Sequence, residues 1–194
     1  MTRPWFWIVV LCIAWSVPLI KSLGAEYPDP PAGVERAAEI VALNDADGLP
    51  VTLANLKGHL VVVHSLDLAQ PQATEADFVA FREMRDRLRG LGSSVVHIIL
   101  CAGGDAEQVV ALIDSKTARR PGNLFLLDPG WKTRTRLRTG CANEEPALIL
   151  LDRHGRRRGD FVRSPEDLDR FAQTISLLAN WLGSDPEPGT AIHR

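Results

Sequence analysis

The chain has 194 residues, a formal net charge of -2 and an apolar share of 45%. Those values fit one globular domain with some appended sequence and exclude a disordered chain or a polycation. So even a balance of charge gives no support for general nucleic-acid binding.

The N-terminus begins positively with Met1 and Arg3, and residues 4–20 are apolar apart from Ser16, with Trp5, Trp7 and Trp15 among them. At about 17 residues the run meets the lower limit for spanning a bilayer and exceeds the usual signal-peptide core of roughly 7 to 15. Two readings stay open for residues 1–25. Lys21 and the interfacial tryptophans suit a retained transmembrane anchor, whereas Ser22, Leu23, Gly24 and Ala25 offer a signal cleavage site. Leu11 before Cys12 argues against a lipoprotein-type cysteine. Either reading exports the remainder of the chain, so the expected location is the periplasm or cell exterior, tethered in the first case and secreted in the second. Residues 26–36 form a proline-rich linker, extended because proline cannot donate backbone hydrogen bonds. The folded domain is expected over residues 37–183, followed by a flexible tail over 184–194.

Within the domain, residues 39–43 and 51–53 read as a hairpin across Asp47 and Gly48. Residues 60–63 are an unbroken apolar run, the mark of a strand covered on both faces. The run ends in the polar turn Asp67-Leu68-Ala69-Gln70-Pro71. Thr74 with Asp77 reads as a capping box, and Phe78, Phe81, Met84 and Leu88 then recur at helical spacing until Gly90. Residues 94–101 form a second buried strand interrupted only by His97. Asp105 with Gln108 opens a further helix that ends before Pro121. Residues 124–127 are a short strand. The segment 131–139 is open between a strand, because Lys132, Arg134, Arg136 and Arg138 alternate, and a short helix. Residues 147–151, a turn at Asp152 to Gly155, and Phe161 with Val162 make a closing hairpin. Ser164, Pro165, Glu166 and Asp167 start the last helix, whose stripe runs through Leu168, Phe171, Ala172, Ile175, Leu178, Ala179 and Leu182 to Gly183.

This order resembles the redoxin branch of the thioredoxin superfamily, which includes peroxiredoxins, TlpA-like thiol oxidoreductases and Sco/SenC copper-assembly proteins. The features that carry the resemblance are the Asp47-Gly48 hairpin, Leu53, Leu56, Lys57 and Gly58 before the core strand, and Glu145-Pro146 before residues 147–152 and Gly155. It covers about residues 37–182. It implies an α/β, thioredoxin-like fold with a central, mostly parallel sheet flanked by helices. In these families a Cys-x-x-Cys or a single peroxidatic cysteine sits where the central strand hands over to a helix. Here that place holds Asp67 to Pro71, with no cysteine. On the Sco pattern Asp67 and Gln70 fall near the copper-binding cysteines and Glu144 near the histidine, and none of the three is a soft ligand. Pro146 matches a proline that in the superfamily is usually cis and faces the active-site turn.

The resemblance therefore implies a degenerate site without catalytic residue, metal or cofactor. Its binding edge consists of Asp67, Gln70, Pro71, Glu144, Glu145 and Pro146. The expected function is binding: a docking surface, an assembly factor or an accessory subunit of a membrane complex concerned with electron transfer, with protein partners. Two alternatives stand beside it. Cys101, at the end of the strand next to the central one, and Cys141, in the loop before Pro146, form a possible redox pair for a thiol-disulfide oxidoreductase. Sco-like metal delivery is the other. His64 and His97 read as hydrogen-bonded core residues, and the basic groups at 132–138 and 153–158 as solvated surface or a cationic face.

Overall fold

The computed structural model describes residues 43–116, 118, 120–143 and 147–180. The N-terminal apolar segment, the linker, most of the predicted first strand, Glu144, Glu145, Pro146, Leu182, Gly183 and the tail lie outside the described residues.

Two short strands, β1 (Leu43–Asn44) and β2 (Pro50–Val51), pair antiparallel with Leu43 opposite Val51. The turn between them is built by Asp45, whose Oδ1 accepts hydrogen bonds from the Asp47 and Leu49 amides at 2.9 and 2.8 Å. Gly48 supplies a φ of +81°, which L-residues rarely adopt. The partner strand stops short of the predicted Leu53. Thr52 and Asn55 close a capping box around the 3-10 turn Leu53–Leu56 and bend the chain away.

Five strands make the main sheet: β3 (Leu60–Asp67), β4 (Val95–Ala102), β5 (Asn123–Leu127), β6 (Leu148–Leu151) and β7 (Arg157–Phe161), in the order β5-β4-β3-β6-β7. β3 pairs parallel with β4 and β4 with β5, while β6 runs antiparallel to both β3 and β7. The sheet is thus mixed, with β6 alone running against the other four strands, which share one direction. The reason is connection length. Helical crossovers join β3, β4 and β5, whereas β6 and β7 are joined by a tight turn that allows only antiparallel pairing.

Helix α1 (Pro71–Arg87) begins three residues before the predicted Thr74 cap. Proline suits the first helical position because its missing N–H has no intrahelical partner there. Thr74 Oγ1 instead donates back to the Asp67 and Gln70 carbonyls at 2.5 and 3.0 Å. α2 (Ala106–Ser115) opens on the predicted box: Asp105 Oδ1 accepts from the Gln108 amide at 2.9 Å and Gln108 Oε1 from the Asp105 amide at 3.1 Å. Residues 132–138 are a helix, α3 (Lys132–Arg138), so the strand reading of that segment is set aside. Fully buried Asp128 fixes its start by accepting from the amides of Thr133 and Arg134, both at 2.9 Å. α4 (Pro165–Asn180) is the last described element, with Ser164 Oγ accepting from the Asp167 amide at 3.2 Å.

Side-chain alternation along the strands divides the core. On one face Leu60, Val62 and Leu66 of β3, with Ile99 and Cys101 of β4, lie under α1, α2 and α4. On the other, Val61, Val63, Val96, Ile98 and Leu100 pack with the β1-β2 hairpin and with Leu137 of α3. The predicted stripe of the last helix is where it should be, with Phe171, Ile175 and Leu178 buried.

Candidate functional site

The turn predicted as a binding edge, residues 67–71, sits at the C-terminal end of β3, the end at which ligands are met in open α/β sheets. Asp67 organises it. Its Oδ1 accepts from the Ala69 amide at 3.1 Å and its Oδ2 from Gln70 Nε2 at 2.9 Å, while the Gln70 amide donates to the Asp67 carbonyl at 3.1 Å. Leu68 continues the sheet by donating to the Ala102 carbonyl at 2.8 Å. The loop after β4 closes over the turn. A Cβ added at Gly103, whose φ is +73°, would stand 2.7 Å from Asp67 Oδ1 and 2.9 Å from the Ala69 nitrogen. The structure therefore brings Asp67 and Gln70 together in a hydrogen-bonded turn that leads directly into Pro71, the first residue of α1. A carboxylate and an amide placed so can accept and donate hydrogen bonds but cannot carry electron pairs as a dithiol does. Glu144, Glu145 and Pro146, the other half of the predicted edge, belong to the residues left undescribed.

Cys101 and Cys141 are free thiols on opposite faces of the sheet. Cys101 is buried beneath α1 and α2, and burial pushes its thiol up to about 12. Cys141 packs against the other core, half-buried. Its Sγ donates to the Leu137 carbonyl at 3.4 Å and accepts from Arg157 Nη1 at 3.2 Å. Burial raises its pKa, outweighing the neighbouring Arg157 guanidinium, and Asp160 adds in the same direction. Since the thiolate is the nucleophile in exchange, neither sulfur is activated for it. Strand alternation turns Cys101 toward α1 and α2, while Cys141, in the loop after α3, packs on the other face with that helix.

The two basic groups are partly consumed inside the domain. Arg157 closes the C-terminal end of α3, donating to the carbonyls of Leu137, Thr139 and Gly140 at 3.1, 3.0 and 2.6 Å. Arg158 is buried and its Nε meets Asp152 Oδ2 at 2.7 Å. Arg134 stacks over the Trp131 ring at 4.7 Å.

His64 and His97 form a buried pair, with Nε2 of the first 3.2 Å from Nδ1 of the second. Phe81 meets both rings edge-on, at centroid distances of 5.0 and 5.7 Å. Burial lowers both pKa values, that of His97 to about 4, so the rings are neutral at ordinary pH. His64 also lines a cleft of about 220 Å³ between α1 and α4, walled by Phe81, Met84, Leu148 and Leu168. Asp77, Glu83, Arg87 and Arg163 stand around it, with Arg163 bonded to Asp77. Sequence reading placed the histidines as hydrogen-bonded core residues but missed the cleft. One signal was available: His64 and His97 have the same strand parity, alternating with the residues of one face only. Among the described residues no group of three or more histidine, cysteine, aspartate or glutamate side chains is placed to hold a metal ion. No helix among them is long and apolar enough to cross a membrane.

No protein-family model matches the chain, and no curated protein matches it by sequence. Solved structures do match it. BsSco, a member of the Sco family of cytochrome c oxidase assembly proteins, superposes with a TM-score of 0.64 at 12% identity, over 78% of this chain and 98% of its own. A SCO1/SenC family lipoprotein from Bacillus anthracis gives 0.59 at 14% identity, over 78% and 99%. A thiol:disulfide interchange protein of the thioredoxin family from Chlorobium tepidum gives 0.55 at 13% identity, over 79% and 99%. At such identities the likeness is one of fold, and the fold is thioredoxin-like.

Proposed function

We propose that this thioredoxin-like domain works by binding rather than by dithiol exchange, as an extracytoplasmic docking, assembly or accessory component of a membrane complex. The observation that carries the reading is the turn after β3. At the helix start where redoxins carry sulfur, the Asp67 carboxylate is tied to the Ala69 amide and the Gln70 side chain. The turn offers polar groups to an extended polypeptide, and the resemblance in sequence adds Glu144 and Pro146 to that edge. That BsSco belongs to a family of cytochrome c oxidase assembly proteins supports an assembly role beside an electron-transfer complex. The lipoprotein neighbour and the apolar N-terminal segment support a membrane-associated, exported location.

The test has two arms. Purified protein is assayed for insulin reduction, where activity no higher than buffer is expected; reduction at the rate of a dithiol enzyme overturns the reading in favour of thiol exchange through Cys101 and Cys141. Gentle detergent extraction of the tagged chain then identifies what co-purifies, with Asp67→Ala/Glu144→Ala as the comparison. Partner recovery should fall several-fold in the variant while its circular dichroism stays unchanged, and equal recovery removes this surface from consideration. Copper or zinc loading checks metal delivery separately: stoichiometric retained metal would favour it.

A further inference from the structure

The cleft between α1 and α4 is distinct from the degenerate turn and rests on none of the reading above. It combines three properties that ordinary packing defects lack. It is roomy: an engineered apolar cavity of roughly 150 Å³ holds benzene, and this one measures about 220 Å³. Its walls are soft and aromatic, Phe81 presenting a ring and Met84 a thioether, which makes favourable contacts with aromatic groups. Finally, it contains a buried polar group with bonding capacity to spare. His64 is 5% exposed, and its single hydrogen bond among the described residues is the one between Nε2 and His97. The other ring nitrogen, Nδ1, is left for whatever enters.

The charges around the cleft narrow the choice. Two carboxylates, Asp77 and Glu83, face two guanidinium groups, Arg87 and Arg163, and Arg163 is already paired with Asp77. Arg87 reaches Asp169 at 3.4 Å. An ionic ligand would meet a like charge for every opposite one and lose its hydration as well, so a neutral molecule is favoured. Hydroxyl is the polar group best suited to His64. The shared proton of the histidine pair can sit on either partner, which leaves Nδ1 an acceptor in one tautomer and a donor in the other. A hydroxyl serves both.

We propose that this cleft binds a neutral hydroxylated aromatic molecule of phenol size, its ring against Phe81 and Met84 and its hydroxyl hydrogen-bonded to His64 Nδ1. The full-length protein is titrated with p-cresol and, separately, with toluene, following the imidazole nitrogen resonances of His64 by NMR. Expected are saturable p-cresol binding with a shift of the Nδ1 resonance, and toluene binding about tenfold weaker, the scale of one buried hydrogen bond. Ala80→Phe, which fills the cleft from the half-exposed side of α1, should abolish both while leaving the fold intact. His64→Phe should erase the preference for p-cresol over toluene. Should that variant fail to fold, Ala80→Phe and the toluene comparison still decide. A tyrosine side chain of a partner carries the same chemistry. Binding of N-acetyl-tyrosinamide as strong as that of p-cresol identifies that source, and rejection of it identifies a free phenol. Absence of saturable p-cresol binding, toluene binding of equal strength, or binding that survives Ala80→Phe overturns the proposal.

Discussion

His64 and His97 share one hydrogen bond in a place almost closed to water, and this makes them an acid-sensitive pair. Burial holds the folded pKa of His97 at about 4, below its ordinary 6.5, and shifts His64 in the same direction. The unfolded chain therefore takes up protons first as pH falls. The pair's contribution is fully present above about pH 6.5 and is lost progressively as pH drops toward 4, where His97 becomes protonated in both states. For His97 alone the loss is on the order of 3 kcal/mol. Urea midpoints measured across this window should fall with pH in the wild type and flatten in His64→Leu/His97→Leu; parallel slopes would count against the assignment. A second buried site is sensitive for a different reason. Asp152 accepts from the His154 and Arg156 amides at 2.8 and 2.9 Å and pairs with buried Arg158. Asp152→Ala removes one carboxylate partner of a buried guanidinium and the acceptor of two amides, and should cost about 2 to 3 kcal/mol in urea denaturation. A loss below about 1 kcal/mol, the scale of an exposed pair, would place the ion pair in water.

At the scale of elements, the turn after β3 and the loop after β4 hold each other in place. Gly103→Ala faces two costs: a left-handed φ of +73°, and a Cβ 2.7 Å from Asp67 Oδ1. The first alone is about 1 to 2 kcal/mol. Part of the second should disappear when Asp67 is alanine, so a double-mutant cycle over Gly103→Ala and Asp67→Ala should show a coupling of at least about 0.5 kcal/mol. Strict additivity would mean that the loop and the turn do not press on one another. Elements with local signals were legible in the sequence, and those set by distant contacts were not. The buried strands declared themselves by unbroken apolar runs, and α2 by a capping box that is local. The start of α1 was misplaced at Thr74 because that hydroxyl bonds backward, to carbonyls of the turn, rather than forward into the helix. Residues 132–138 stayed ambiguous because their helix is initiated by a buried acid outside it, Asp128, after two left-handed residues, Gly130 and Trp131. Alternating arginines say nothing of that.

For the whole molecule, topology was readable from the order of elements along the chain, whereas the cleft was not, since the residues that α1 gives it are closed in by single residues or pairs from β3, β6, α4 and the segment between β7 and α4. The cysteines show the same limit. Cys101 takes its side from the alternation of β4 and Cys141 lies on the face where α3 packs, and the sequence alone states neither face. What the fold does offer after β3 is a strand that hands over to a helix beginning at Pro71, with two positions, 67 and 70, at the Cys-x-x-Cys spacing. A thiolate there would face a helix N-terminus, whose partial positive charge favours the ionised form. Asp67→Cys/Gln70→Cys should accordingly reduce insulin measurably faster than the wild-type chain, in which burial raises the pKa of Cys101 and of half-buried Cys141. A variant that folds, titrates as two accessible thiols and still matches the wild-type rate would mean that the missing chemistry lies deeper than two side chains, in how the surrounding loops admit a disulfide.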